Sequence, residues 1–228
     1  RGANMGILRV DHPDIRTFIT CKNDTSQVTN FNISVALTDA FMQAVNEGTT
    51  YDLVNPRTGQ VVNQEDAREV FDMIVRGAWL TGEPGTFFID RANRDNPVPE
   101  VGTYEATNPC GEQILFAYDV CNLGSVNLGK FVREDVPPEA PPEDRIDWEQ
   151  LRQVVHLSTH FLDNVIDANH YPLDEIHELA QRIRRIGLGV MGWADLLVRL
   201  GVAYDTSQGV EMGRTVMAFV NEEARNAS

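Results

Sequence analysis

Short apolar runs alternate with stretches of helical periodicity along the chain, and that alternation constrains the fold more than any other feature. It is the pattern of an α/β domain, in which strands pair side by side and the intervening helices cover them. Gly6 to Val10 reads as a strand. Asp11-His12-Pro13-Asp14 then opens a helix with Ile15, Phe18 and Ile19 as its apolar stripe. Phe31 to Leu37 reads as a second strand, followed by a helix through Val45 that Thr38 or Asp39 caps. Tyr51 to Val62, with Asn55-Pro56-Arg57-Thr58-Gly59 at its centre, has the form of a β-hairpin. Asn63 is the expected cap of the next helix, where Ala67, Val70, Phe71, Ile74, Val75 and Ala78 fall at helical spacing. Thr86 to Ile89 reads as a buried strand, Asp90 to Thr107 as loop, and Ile114 to Leu128 mainly as strand with irregular turns. Beyond it come a long amphipathic helix marked by Leu151 to Ile166, a helix from Asp174 to Arg185, and a strand or turn over Ile186 to Gly192. Helices over Trp193 to Leu200 and Ser207 to Arg225 complete the chain.

A chain of 228 residues, 42% hydrophobic, is long enough for one substantial core or two small ones. The acidic stretch Asp135 to Asp144, with prolines at 137, 138, 141 and 142, reads as a solvated surface excursion rather than a boundary, so a single domain over 1–228 is expected. The net charge of −15 argues against nonspecific binding to DNA or to an anionic membrane, but leaves room for a small anionic ligand. No apolar stretch has the roughly 18 residues of a membrane span, and no secretory signal is evident. Cys21, Cys110 and Cys121 match neither a disulfide framework nor a zinc spacing, which points to a reducing, cytoplasmic setting. The chain opens on Arg1 in an already patterned segment, as an internal piece of a longer protein would.

The chemistry concentrates in Asn108-Pro109-Cys110-Gly111-Glu112-Gln113. Pro109 disfavours helix and biases Asn108 toward extended backbone, and in extended backbone residues two apart share a face. Asn108, Cys110 and Glu112 would then bring an amide, a thiol and a base to one small volume. Apolar packing explains an isolated cysteine but not two polar neighbours on its face. A hydrolase nucleophile would need a histidine, and none lies in this segment.

Two other patterns have plainer explanations. Gly187-Leu188-Gly189-Val190-Met191-Gly192 satisfies the dinucleotide-binding glycine spacing, but follows the charged run Arg182-Ile183-Arg184-Arg185 instead of an apolar strand. Close strand packing accounts for it better. His156 and His160 stand four apart on a helix, but Leu157 occupies the place of the glutamate that zinc proteases carry, so no metal site is expected. Cys21 reads as structural or incidental, and Cys121 taken alone as a core cysteine.

Taken together, Asn108 to Gln113 followed by Cys121-Asn122-Leu123-Gly124-Ser125 resembles the catalytic segment of ribonucleotide reductases, and most closely the class II, adenosylcobalamin-dependent branch. Arg1 to Gly6 through His12-Pro13-Asp14-Ile15, Phe31 to Val35, Phe88 to Asn93 and Ile186 to Gly192 agree with it in order. The resemblance implies part of a ten-stranded α/β barrel whose central finger loop carries the thiol. It implies reduction of ribonucleotides to 2′-deoxyribonucleotides for DNA synthesis by a thiyl-radical mechanism. Cys110 would abstract the 3′ hydrogen, Glu112 would act as base on the 3′ hydroxyl, and Asn108 would bond the ribose hydroxyls. Cys121 would be half of the reducing dithiol, with its partner outside the chain. Arg1, Gly2, Ala3 and Asn4 resemble the tail of a loop through which a nucleotide effector (a deoxynucleoside triphosphate or ATP) tunes substrate choice.

The same resemblance implies a thioredoxin-like or glutaredoxin-like reductant, a homodimer when full length, and a water-excluded site. Neither the second redox cysteine nor the turn that grips the substrate diphosphate is found, so the isolated chain is expected to be inactive. The alternatives are a class I large subunit, which takes its radical from a separate subunit, and a non-catalytic nucleotide-binding relative.

Overall fold

The structure, a computed structural model, describes residues 2–24, 26 and 28–228. They fall into two compact units, Arg1–Ala117 and Tyr118–Ser228. The Pro-rich excursion lies inside the second unit.

In the first unit β1 (Asn4–Arg9), α1 (Ile15–Thr20), β2 (Phe31–Leu37) and α2 (Asp39–Glu47) follow in order. The hairpin β3 (Thr50–Val54) and β4 (Val61–Asp66) comes next, then α3 (Ala67–Thr81), β5 (Gly85–Phe88) and α4 (Ile89–Arg94). Two short strands, β6 (Ala106–Thr107) and β7 (Ile114–Leu115), close it. The main sheet is parallel, in the order β1-β2-β5, with Ile7 opposite Ser34 and Ser34 opposite Gly85. Its central strand is buried continuously from Ile33 to Leu37, as a parallel strand covered on both faces should be. Val35, Leu37, Ile15, Phe41, Val70 and Ile74 form the core beside it.

The helix ends follow from capping chemistry. The Thr38 side chain accepts from the Phe41 N–H at 3.1 Å, and Gly48 ends α2 in the left-handed region. The cap of α3 is Asp66, which accepts from Glu69 N–H, and not Asn63. Asn63 is instead paired with Leu53, because the hairpin ladder runs on to Thr50 opposite Asp66. The expected loop over residues 90–107 likewise begins with α4, whose Asn93 side chain ties the helix to Tyr104.

The second unit is built on a parallel pair, β8 (Asn122–Asn127) and β9 (Ile186–Met191). The crossover consists of α5 (Trp148–Ala168) and α6 (Asp174–Ile183), and α7 (Trp193–Leu200) and α8 (Ser207–Ala227) follow. Leu128, Leu151, Val155, Leu196, Leu197 and Val216 are its most buried large side chains. Arg145 is buried and donates to the carbonyls of Leu200 and Arg199 at 3.0 and 2.7 Å, closing the C-terminal end of α7. His156 bonds Glu223 across α5 and α8 at 2.8 Å, so it serves a helix interface. Arg152 first, and then His156, holds the Glu223 carboxyl below its ordinary pKa.

The glycine-spaced segment is strand, as close packing requires. A Cβ on Gly187 would stand 2.4 Å from the Leu123 side chain. The charged run before it is absorbed locally. Arg184 bonds both Asp163 and Asp167 at 2.9 Å and lowers both carboxyl pKa values, while Arg185 pairs with the fully shielded Asp119 at 2.9 Å. Gly192 has φ of 70°, and a Cβ there would meet Asn127 Oδ1, which itself accepts from Gly129 N–H. Gly192→Ala therefore combines left-handed strain of about 1–2 kcal/mol with overpacking of about 1–3 kcal/mol. A loss of about 2–5 kcal/mol is expected from urea midpoints at constant slope, and a change under about 1 kcal/mol would contradict it. Among the described residues, no helix is long and apolar enough to cross a membrane.

Candidate active site

The segment Asn108–Gln113 is not extended. It forms the tip of a hairpin between β6 and β7, where Thr107 pairs with Ile114. The Asn108 carbonyl accepts from Gly111 N–H at 3.0 Å, and Asn108 N–H donates to the Gln113 carbonyl at 3.1 Å. The residue types match a tight turn: asparagine first, proline second and glycine fourth, with Gly111 at φ 80°. The Asn108 side-chain oxygen also accepts from Gln113 N–H at 3.0 Å. This overturns the alternating-face expectation, because the same proline and glycine that disfavour helix also favour a turn over a strand.

The turn sits over the main sheet of its own unit. Asn32 Nδ2, on β2, donates to the Pro109 carbonyl at 2.9 Å. Between turn and sheet lies a cavity of about 430 Å³, within the range of small-molecule sites. Pro109, Cys110 and Gly111 line one side, and Met5, Asn32, Ser34, Thr86 and Phe87 line the sheet side. Glu83 lies at its edge, where it accepts from Ile33 N–H at 3.1 Å and pairs with Lys22 at 2.8 Å. Ser34 is buried directly beneath, and a Cβ on Gly85 would come within 2.7 Å of its hydroxyl.

Cys110 and Glu112 are exposed and Asn108 is half-buried. The water-excluded setting expected for this trio is therefore not formed by these residues. Asn32 and Ser34 belong to no chemical motif that the sequence alone displays. The available signal was their placement two apart in an otherwise apolar strand, which points both polar groups the same way.

Cys121 belongs to the second unit, half-buried at the head of β8, with its sulfur 3.4 Å from the Asn122 carbonyl. A small cavity of about 60 Å³ beside it is lined by Asn122, Val165, Ile166 and Arg185 among others. Cys21 caps the end of α1. Of the amino-terminal residues, Gly2, Ala3 and Asn4 are exposed, Asn4 beginning β1 with its N–H on the Asn30 carbonyl, and Arg1 lies outside the described residues. A larger apolar groove of about 580 Å³ in the second unit, around Trp193, Tyr204 and Met217, has Asp205 as its one carboxylate and no thiol among its lining residues. Chemistry favours the smaller cavity beside the thiol.

Comparison with known proteins bears on the whole chain. The family model described as the ribonucleotide reductase barrel domain matches residues 1–228. The vitamin B12-dependent ribonucleoside-diphosphate reductase of Thermoplasma acidophilum is 47% identical over 229 residues, covering all of this chain and 29% of that protein. The enzyme of the same name from Mycobacterium tuberculosis is 45% identical, again over the whole chain and 32% of its own length. This chain thus spans about a third of the relatives it matches. Among solved structures, the class Id ribonucleotide reductase alpha subunit of Actinobacillus ureae superposes with a TM-score of 0.71 at 22% identity, covering 98% of this chain and 40% of that one. That likeness shows the fold: part of an α/β barrel.

Proposed function

The chain belongs to the ribonucleotide reductase barrel-domain family, and from that premise we propose that it is an internal portion, residues 1–228, of the catalytic barrel of an adenosylcobalamin-dependent ribonucleotide reductase. The observation that carries this reading is a single exposed thiol, Cys110, on a tight turn at the mouth of a cavity of about 430 Å³. The substrate proposed is a ribonucleoside diphosphate, after the printed names of the relatives at 47% and 45% identity.

Conversion of a ribonucleotide to its 2′-deoxy form removes one hydroxyl as water and takes up two electrons. Cys110, as a thiyl radical, takes the 3′ hydrogen and later returns it. Glu112 takes the proton of the 3′ hydroxyl, which is general-base work. Asn108 holds the ribose hydroxyls. Cys121 supplies one of two thiols that become a disulfide, and a thioredoxin-like or glutaredoxin-like protein restores them. The chemistry of Cys110 fits the cofactor, since a thiol asked to lose a hydrogen atom must present an open face, and the face of the Pro109–Gly111 turn is open. When bound, adenosylcobalamin supplies the oxidising equivalent for that step. The exposure of Glu112 and Cys110 is consistent with a reaction chamber completed by parts of a protein about three times as long. Gly2 to Asn4, with Arg1, are proposed as the tail of an effector loop, and the full protein as a cytoplasmic homodimer.

The test is made on the full-length protein. Deoxynucleotide should form from ribonucleoside diphosphate, adenosylcobalamin and a dithiol, with no second subunit. A strict requirement for a radical-generating partner would replace this reading with the class I one.

A further inference from the structure

We propose that Asn32 is a positioning residue for the Cys110 thiol, acting through the backbone of the turn; this rests on the reading of Cys110 as the reacting group. Asn32 stands on β2, the central strand of the parallel sheet, next to residues that are buried without interruption from Ile33 to Leu37. Its Nδ2 donates to the Pro109 carbonyl at 2.9 Å, across 77 positions of sequence. Among the described residues, this is the hydrogen bond that ties residues 108–113 to the parallel sheet. The others close the turn on itself or run to its immediate neighbours, as from Thr107 to Asn108 and from Gln113 to Ile114.

The bond acts on one of the torsions that place the sulfur. The ring of Pro109 locks its φ, so the remaining freedom before Cys110 is the rotation that swings the Pro109 carbonyl. The Pro109–Cys110 peptide is planar, and fixing that carbonyl fixes the plane from which the Cys110 side chain departs. A site anchored on a strand is held more closely than one left on a loop. Radical transfer from sulfur to carbon needs the reacting atoms in near-contact, and a misplacement of about 1 Å costs on the order of 100-fold.

The experiment uses the full-length protein with Asn32→Ala and Asn32→Asp. The second keeps size and shape but removes the donor, and it carries the test should the first not fold. Both should lower kcat by about 10- to 100-fold while KM stays within about threefold. Hydrogen exchange of the Gly111 N–H, which closes the turn, should accelerate about tenfold without cofactor or substrate, while that of the buried Val35 stays unchanged. Asn32→Gln, which retains the donor, should recover part of both effects.

An unchanged kcat, a lost kcat with unchanged Gly111 exchange, or a KM rise matching the whole loss would each overturn the proposal. The last would make Asn32 a substrate contact instead. Cys110→Ser separates this proposal from the reading it rests on. If that variant still turns over, the role of the thiol falls and any role in delivering it falls too, whereas Gly111 exchange reports the tether alone.

Discussion

Cys110→Ser in the full-length protein is expected to lower ribonucleotide reduction by at least about a thousandfold while leaving nucleotide affinity within about threefold. Serine preserves the shape of the side chain, and Cys110 is exposed at a turn, so stability should move by less than about 0.5 kcal/mol. What changes is the strength of the bond to hydrogen. An S–H bond gives up its hydrogen atom far more readily than an O–H bond, so the radical needed to start the reaction does not form on serine. Turnover, equilibrium binding of the diphosphate and a thermal melt on one preparation separate chemistry, affinity and folding. A serine variant with ordinary activity would favour a non-catalytic nucleotide-binding relative and remove the thiyl mechanism.

The second large effect is expected at Glu112. Replacing a general base by its amide isostere costs about 10²- to 10⁴-fold, or about 3–5 kcal/mol of transition-state stabilisation. Glu112→Gln should show this in kcat, with KM little altered, because the amide still fills the space and still accepts a hydrogen bond. Glu112→Asp, shorter by one methylene, should fall between the two. Retention of kcat within about threefold in the Gln variant would assign the proton to another group or to water. The carboxylate follows Gly111, whose φ of 80° helps set its direction, so Gly111→Ala would confuse backbone strain with loss of the base and is not a substitute test.

The strands and helices were legible wherever a periodic apolar pattern met a clear cap. Phe31–Leu37 and Trp193–Leu200 lie where the residues place them, and Thr38 caps as its position implies. The failures have local causes. Asn63 is a good cap by composition, yet hairpin pairing with Leu53 outweighed that propensity and handed the role to Asp66. The Asn108–Gln113 segment contained the correct residue types, but proline and glycine serve both extended and turn geometry. What decided between them was a set of hydrogen bonds that Asn108 makes to Gly111 and Gln113. The contribution of Asn32 depends on a contact 77 positions away, which no local pattern can express.

The closure of that turn on Asn108 also dictates a polarity. A peptide N–H can only give a hydrogen, so the atom facing Gln113 N must be the side-chain oxygen, and the NH₂ end is directed elsewhere. A sugar hydroxyl held by Asn108 through that NH₂ end would receive a hydrogen from the amide on a lone pair, leaving its own hydrogen free to point away. In the proposed role, a hydroxyl that receives from the amide in this way keeps its own hydrogen for a carboxylate, while the second lone pair of Oδ1 remains open as an acceptor.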